Sequence, residues 1–70
     1  MEEYNYTIVI SGEQLLSVRM NGTWEEAYEI ARGYNTYGDT FTFYNLEGEE
    51  IISLSAVQLM NDDLKIIYKD

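Results

Sequence analysis

Carboxylates are the side chains whose number and spacing in this sequence could do chemistry. One group occupies the stretch WEEAYE and comprises Glu25, Glu26 and Glu29, and a second occupies EGEE and comprises Glu47, Glu49 and Glu50. Two carboxylates that face each other can hydrolyse a glycosidic bond as acid and nucleophile or base, and carboxylates in loops can bind calcium or magnesium. Acid–base catalysis and metal binding are therefore the chemistries to test first.

The rest of the composition argues against both chemistries. The 70-residue chain contains no histidine and no cysteine, so it lacks the usual neutral-pH base, the usual zinc ligands and a thiol nucleophile. Neither acidic loop has the ligand spacing of an EF-hand, and so short a domain leaves little room for a catalytic cleft. We expect no enzyme activity, no catalytic residue, no metal site and no cofactor.

The charge balance points to the kind of partner. Thirteen acidic residues against four basic ones give a net charge of −9, which repels nucleic acid and anionic membranes. We therefore expect no direct binding to either. The same charge attracts a protein with a basic surface, or it serves only to keep the protein soluble, and the sequence leaves both interpretations open.

Length and the N-terminal residues predict one cytoplasmic domain covering residues 1–70. Hydrophobic residues make up 46% of the chain, which is enough for a folded core. The N-terminal stretch MEEYNYTIVIS carries acids where a secretory signal needs positive charge, and its apolar part is too short to cross a bilayer.

Hydrophobic periodicity predicts the element order β-β-α-β-β-β. Alternating residues indicate strands at 4–11, 15–20, 40–45, 51–55 and 64–69. Thr23 followed by Glu26 is a capping-box pattern and predicts a helix from Trp24 to Arg32. One helical stripe is apolar and comprises Trp24, Ala27, Tyr28, Ala31 and Tyr34, whereas Glu25, Glu29 and Arg32 share the opposite face.

These elements predict an α+β fold of two layers, with a mainly antiparallel sheet and one helix packed on one face. The inward sheet residues are expected to be Ile8, Ile10, Leu16, Val18, Phe41, Phe43, Ile52, Leu54 and Ile66. A small, curled, barrel-like sheet with one helix is the alternative.

The other sheet face is expected to be mixed rather than fully polar. Its apolar members are Val9, Tyr44, Ile51 and Ile67. Such a patch favours an interface with another molecule, because exposed apolar patches often mark interaction sites. The alternative is that the loop at 34–39 or the C-terminal segment covers it.

Together these features favour a small acidic protein that binds or inhibits another protein at a basic, nucleic-acid-facing site. In size and charge the chain resembles the small acidic proteins, DNA mimics among them, with which phages and mobile elements block host enzymes or defence systems. The candidate partner-binding residues are Glu25, Glu26, Glu29, Glu47, Glu49 and Glu50. The alternative is a structural or assembly protein that forms a homodimer through its open sheet face.

Overall fold

The computed structural model describes residues 4–61, and this part of the chain forms an α+β fold. The elements are β1 (Tyr6–Ser11), β2 (Leu15–Met20), α1 (Trp24–Gly33), a single 3-10 turn (Asn35–Tyr37), β3 (Thr40–Tyr44), β4 (Glu50–Ser55) and α2 (Ala56–Leu59). The four strands form one open antiparallel sheet in the order β2-β1-β3-β4.

The two-layer prediction is confirmed, and the barrel-like alternative is wrong. The predicted strand at 64–69, with Ile66 and Ile67, lies outside the described residues.

Helix α1 begins where the sequence predicts, because its capping box forms. The hydroxyl of Thr23 accepts the Glu26 N–H at 3.1 Å, and the Glu26 carboxylate accepts the Thr23 N–H at 2.9 Å. Two of the unpaired donors at the helix start are satisfied in this way. Just before the cap, Gly22 has a φ of 151°, which suits glycine in the sharp connection from β2.

The core lies between α1 and the two central strands. Its buried residues are Ile8, Ile10, Met20, Trp24, Ala27, Tyr28, Ala31, Phe41, Phe43, Leu54 and Leu59. The predicted core residues Leu16, Val18 and Ile52 are only half-buried. All three lie on edge strands, and one helix is too narrow to cover a four-stranded sheet to both edges.

The short helix α2 was not predicted. Ser55 and Gln58 form a second capping box, in which the Ser55 hydroxyl accepts the Gln58 N–H at 3.2 Å and the Gln58 side chain accepts the Ser55 N–H at 2.9 Å. This helix places Leu59 in the core.

Helix α1 supplies donors for the carbonyl groups at the end of α2. The Tyr28 hydroxyl lies 3.2 Å from the Gln58 carbonyl and 3.0 Å from the Asn61 carbonyl, and Arg32 Nε donates to the Leu59 carbonyl at 3.1 Å. Arg32 shares a side of α1 with Glu29, as predicted, but its contact with α2 leaves it only partly exposed. Carbonyl groups at a helix C-terminus need donors from outside the helix, and Arg32 meets that need.

Candidate functional site

The first acidic cluster lies along the outer face of α1. Glu25, Glu26 and Glu29 are all exposed. Part of the Glu26 carboxylate is engaged in the capping box, and Glu29 lies 3.5 Å from Arg32 in an ion pair. The N-terminus of a helix favours negative charge, so this cluster is compatible with a stable helix. We call these three residues the helix cluster.

A shallow groove of about 390 Å³ runs beside the helix cluster, between the end of β2 and α1. Its lining consists of Met20, Asn21, Glu25, Glu26, Glu29 and Ile30. Met20 and Ile30 provide apolar surface, and the three glutamates provide carboxylates beside it. A lysine or arginine side chain suits such a groove, because its aliphatic part can pack on the apolar surface while its charged end meets the carboxylates.

The second acidic cluster lies at the turn between β3 and β4, where Glu47, Glu49 and Glu50 are exposed. We call these three residues the turn cluster. Asn45 organises the turn: its side-chain oxygen accepts the N–H groups of Glu47 at 3.0 Å and Glu49 at 2.9 Å, and its amide nitrogen lies 3.3 Å from a Glu49 carboxylate oxygen. Gly48 has a φ of 82°, a positive value that glycine adopts more readily than other residues do.

The fold brings the two acidic clusters to the same end of the sheet. Tyr6 at the start of β1 pairs with Met20 at the end of β2, and Tyr44 at the end of β3 pairs with Glu50 at the start of β4. Helix α1 starts shortly after Met20, so its first turn lies at this end too. The start of α1 packs over the central strands, where Trp24 contacts Tyr6 of β1 and Phe43 of β3, so the helix cluster and the turn cluster lie on different elements at one end of the sheet.

We call this surface the acidic end. It holds six of the eight acidic side chains among residues 4–61, whereas Glu13 and Asp39 lie at the opposite end of the sheet. The sequence analysis identified both clusters as candidate partner-binding residues but did not predict that they share one end of the sheet, and it missed Asn45, Met20 and Ile30 as contributors. The spacing of Asn45 and Gly48 was a usable signal, because it matches the first and fourth positions of a type I turn.

Ile51 is the one described residue of the predicted outer sheet patch that packs against the core instead. Val9 and Tyr44 are half-buried, and the strand neighbours of Val9 are Ser17 and Thr42. A bulge in β4 makes Ile51 an extra residue between the paired positions, and Ile51 packs against the core. A bulge breaks the strict alternation of side chains between the two sheet faces. The alternating pattern therefore assigned Ile51 to the wrong face. Ile67 lies outside the described residues.

Among residues 4–61, no group of three or more acidic, histidine or cysteine side chains is arranged to hold a metal ion. None of the helices formed by these residues has the length and apolar character needed to cross a membrane.

Comparisons of the chain with models of protein families, with curated proteins and with solved structures find no match.

Proposed function

We propose that this chain is a small protein-binding inhibitor whose acidic end engages a basic, nucleic-acid-facing surface of another protein. The observation that carries the proposal is the convergence of the helix cluster and the turn cluster on one end of the sheet. One of these clusters also borders a groove with apolar surface, as a binding site for long cationic side chains requires.

The spacing of the carboxylates favours a protein partner over a single ion. No three of these six carboxylates are arranged around one metal ion, but, spread over a helix and a turn, they can meet several arginine or lysine side chains on a complementary surface. The net charge of −9 adds long-range attraction, which raises the rate of association with a basic partner.

Carboxylates arrayed in this way would occupy the positions of nucleic-acid phosphates in the partner's site. The proposed mechanism is competitive: the protein blocks the site by binding it and performs no reaction. We propose that the chain belongs to this class of inhibitors, which phages and mobile elements carry against host or defence proteins.

The proposal can be tested by competition with duplex DNA. The immobilised chain would be incubated with a nuclease-treated lysate of the native host, and bound proteins would be eluted with duplex DNA or with an uncharged polymer. We expect DNA to release the specifically bound protein, because both ligands use its basic site. Release by the uncharged polymer to the same extent would contradict the proposal.

Two variants of equal net charge separate the acidic end from the total charge. Glu25→Gln with Glu29→Gln removes two charges at the acidic end, whereas Glu13→Gln with Asp39→Asn removes two at the opposite end. We expect the first pair to slow association and to reduce its salt dependence, and the second pair to have a much smaller effect. Equal effects would show that only the total charge matters.

A third variant asks whether the turn cluster takes part. Replacing Glu47, Glu49 and Glu50 together by glutamine removes its charge and leaves the backbone contacts of Asn45 in place. If both clusters face the partner, this variant and the helix-cluster variant will each slow association. Binding that is insensitive to salt and to both variants would refute the proposal.

A further inference from the structure

The two edges of the sheet differ in how they are protected against pairing with another strand. Edge strand β4 carries a bulge at Ile51, begins with Glu50 and leads directly into α2, which packs beside it. Bulges, charges and covering helices are the usual means of blocking an exposed edge. Within residues 4–61, β4 has a bulge and a terminal charge, and a helix follows its last residue directly.

Within the described residues, edge strand β2 has fewer of these protective features, because it has no bulge and a single charge. Its pairing with β1 runs without a register shift from Leu15 to Met20, the chain contains no proline, and Arg19 is the single charged residue of the strand. Among the described residues, β1 is its only neighbour in the sheet. Within residues 4–61, no strand pairs with the other side of the β2 backbone, which leaves that side open to hydrogen bonds with another strand.

The side chains of β2 leave apolar surface at this edge. Leu15 is 74% exposed, and Leu16 and Val18, which point towards the core, are only half-buried. A strand added beside β2 would extend the sheet and bury this surface.

We propose that two copies of the chain pair through β2, antiparallel, about a two-fold axis at Ser17. This arrangement places Ser17 opposite Ser17 of the second copy, Leu16 opposite Val18 and Leu15 opposite Arg19. Directly opposed residues in an antiparallel pair point to the same face, and this register respects that rule, because Leu16 and Val18 both point inward and Leu15 and Arg19 both point outward. The two sheets become one sheet of eight strands.

The charges of β2 favour a second copy as the occupant. In a chain with a net charge of −9, β2 contributes only the positive charge of Arg19, so two copies approach each other at one of their least negative surfaces. The aliphatic part of Arg19 lies opposite the exposed Leu15 of the second copy and can cover it. Glu13 precedes Leu15 by two residues, so in the proposed pair it would be a diagonal neighbour of Arg19 of the second copy.

This pairing is independent of the proposed function. Because the two β2 strands are antiparallel, the two acidic ends point in opposite directions and neither is used in the pairing. The dimer would carry two separate binding surfaces. Its salt dependence also has the opposite sign: salt screens the repulsion between two negative copies and strengthens the dimer, whereas salt weakens binding to a basic partner.

The oligomeric state of the full chain tests the proposal. Sedimentation equilibrium over a range of protein concentrations should show a monomer–dimer equilibrium. Leu15→Lys with Ser17→Lys creates three like-charged oppositions across the axis, and we expect it to raise the dimer dissociation constant roughly 100-fold. The matched control is Ser53→Lys with Val57→Lys, which makes equivalent substitutions at exposed positions away from β2 and should leave the dimer intact.

A charge exchange at Ser17 tests the register. Ser17→Lys and Ser17→Asp should each weaken self-association, because each opposes its own charge at the axis, and an equimolar mixture of the two should form heterodimers. Circular dichroism confirms that each variant is folded. A monomeric parent protein at all concentrations would overturn the proposal, as would equal weakening by the control pair. A dimer strengthened by Ser17→Asp would overturn it too, because the opposing residue would then be Arg19 rather than Ser17.

Discussion

Replacing Trp24 by alanine tests the packing of α1 on the sheet most directly. The indole ring is 1% exposed and contacts three other aromatic rings. Its centroid lies 4.8 Å from that of Phe43 on β3, 5.6 Å from that of Tyr28 on the same helix, and 6.0 Å from that of Tyr6 on β1. Truncation therefore opens a cavity at the junction of the helix with both central strands.

The expected cost is large compared with the stability of the domain. Truncating a buried tryptophan to alanine costs about 3–5 kcal/mol, through lost burial and the cavity left behind. A domain with the typical stability of ~0.05–0.15 kcal/mol per residue has only about 3.5–10 kcal/mol in total at this length. We expect Trp24→Ala to lower the urea midpoint by about 30% or more, or to unfold the protein outright.

The measurement is urea unfolding followed by far-ultraviolet circular dichroism, because the substitution removes the only tryptophan and with it the usual fluorescence signal. Trp24→Phe keeps an aromatic ring and should be intermediate. Glu25→Gln, at the next residue and on the exposed face, should change the unfolding free energy by less than about 0.5 kcal/mol. If Trp24→Ala unfolds at the same urea concentration as the parent, α1 does not close the core and the two-layer description is wrong.

Three further predictions concern the C-terminal side of the fold and the charge. Tyr28→Phe removes the hydroxyl group beside two carbonyl groups at the end of α2, and it should cost about 1–2 kcal/mol and speed hydrogen exchange in α2. Gly38→Ala would place a Cβ 2.6 Å from the Ser11 carbonyl oxygen and should destabilise by about 1–3 kcal/mol in urea titrations, whereas Gly33→Ala meets no atom within 4 Å and should be neutral or slightly stabilising. Gel shifts at about 0.15 M salt should show no binding to duplex DNA, because repulsion leaves no counterion release to drive it, and saturable binding at micromolar protein would contradict this.

Features that depend on neighbouring residues in the chain could be predicted from the sequence. The capping box fixes the start of α1, the apolar stripe fixes its buried side, and Gly48 supplies the positive φ of the β3–β4 turn. Strand alternation likewise identified the inward residues of the central strands, such as Ile8 and Phe43. These signals come from residues close together in the chain, and the periods of the helix and the strand show which side chains share a face.

Features that depend on tertiary contacts escaped prediction. Helix α2 is so short that its periodicity carries little information, although the spacing of Ser55 and Gln58 marks its capping box. Arg32 could not be placed without knowing that the carbonyl end of α2 would lie against it. The bulge at Ile51 reflects the local register of two paired strands, which no single strand sequence specifies.

The convergence of the two acidic clusters also follows from the sheet topology. The two clusters differ in how their negative charge affects the stability of the fold. Glu25 and Glu26 lie in the first turn of α1, where the helix dipole favours negative charge, and Glu26 also completes the capping box. Structural stability alone is thus a sufficient reason for acids in the helix cluster. The β3–β4 turn offers no such dipole, so carboxylates at Glu47 and Glu50 add repulsion at an end that is already negative. Because that repulsion opposes folding, the turn cluster is harder to explain by stability than the helix cluster. Binding to a basic partner would therefore account for the acidity of the turn cluster better than stability does.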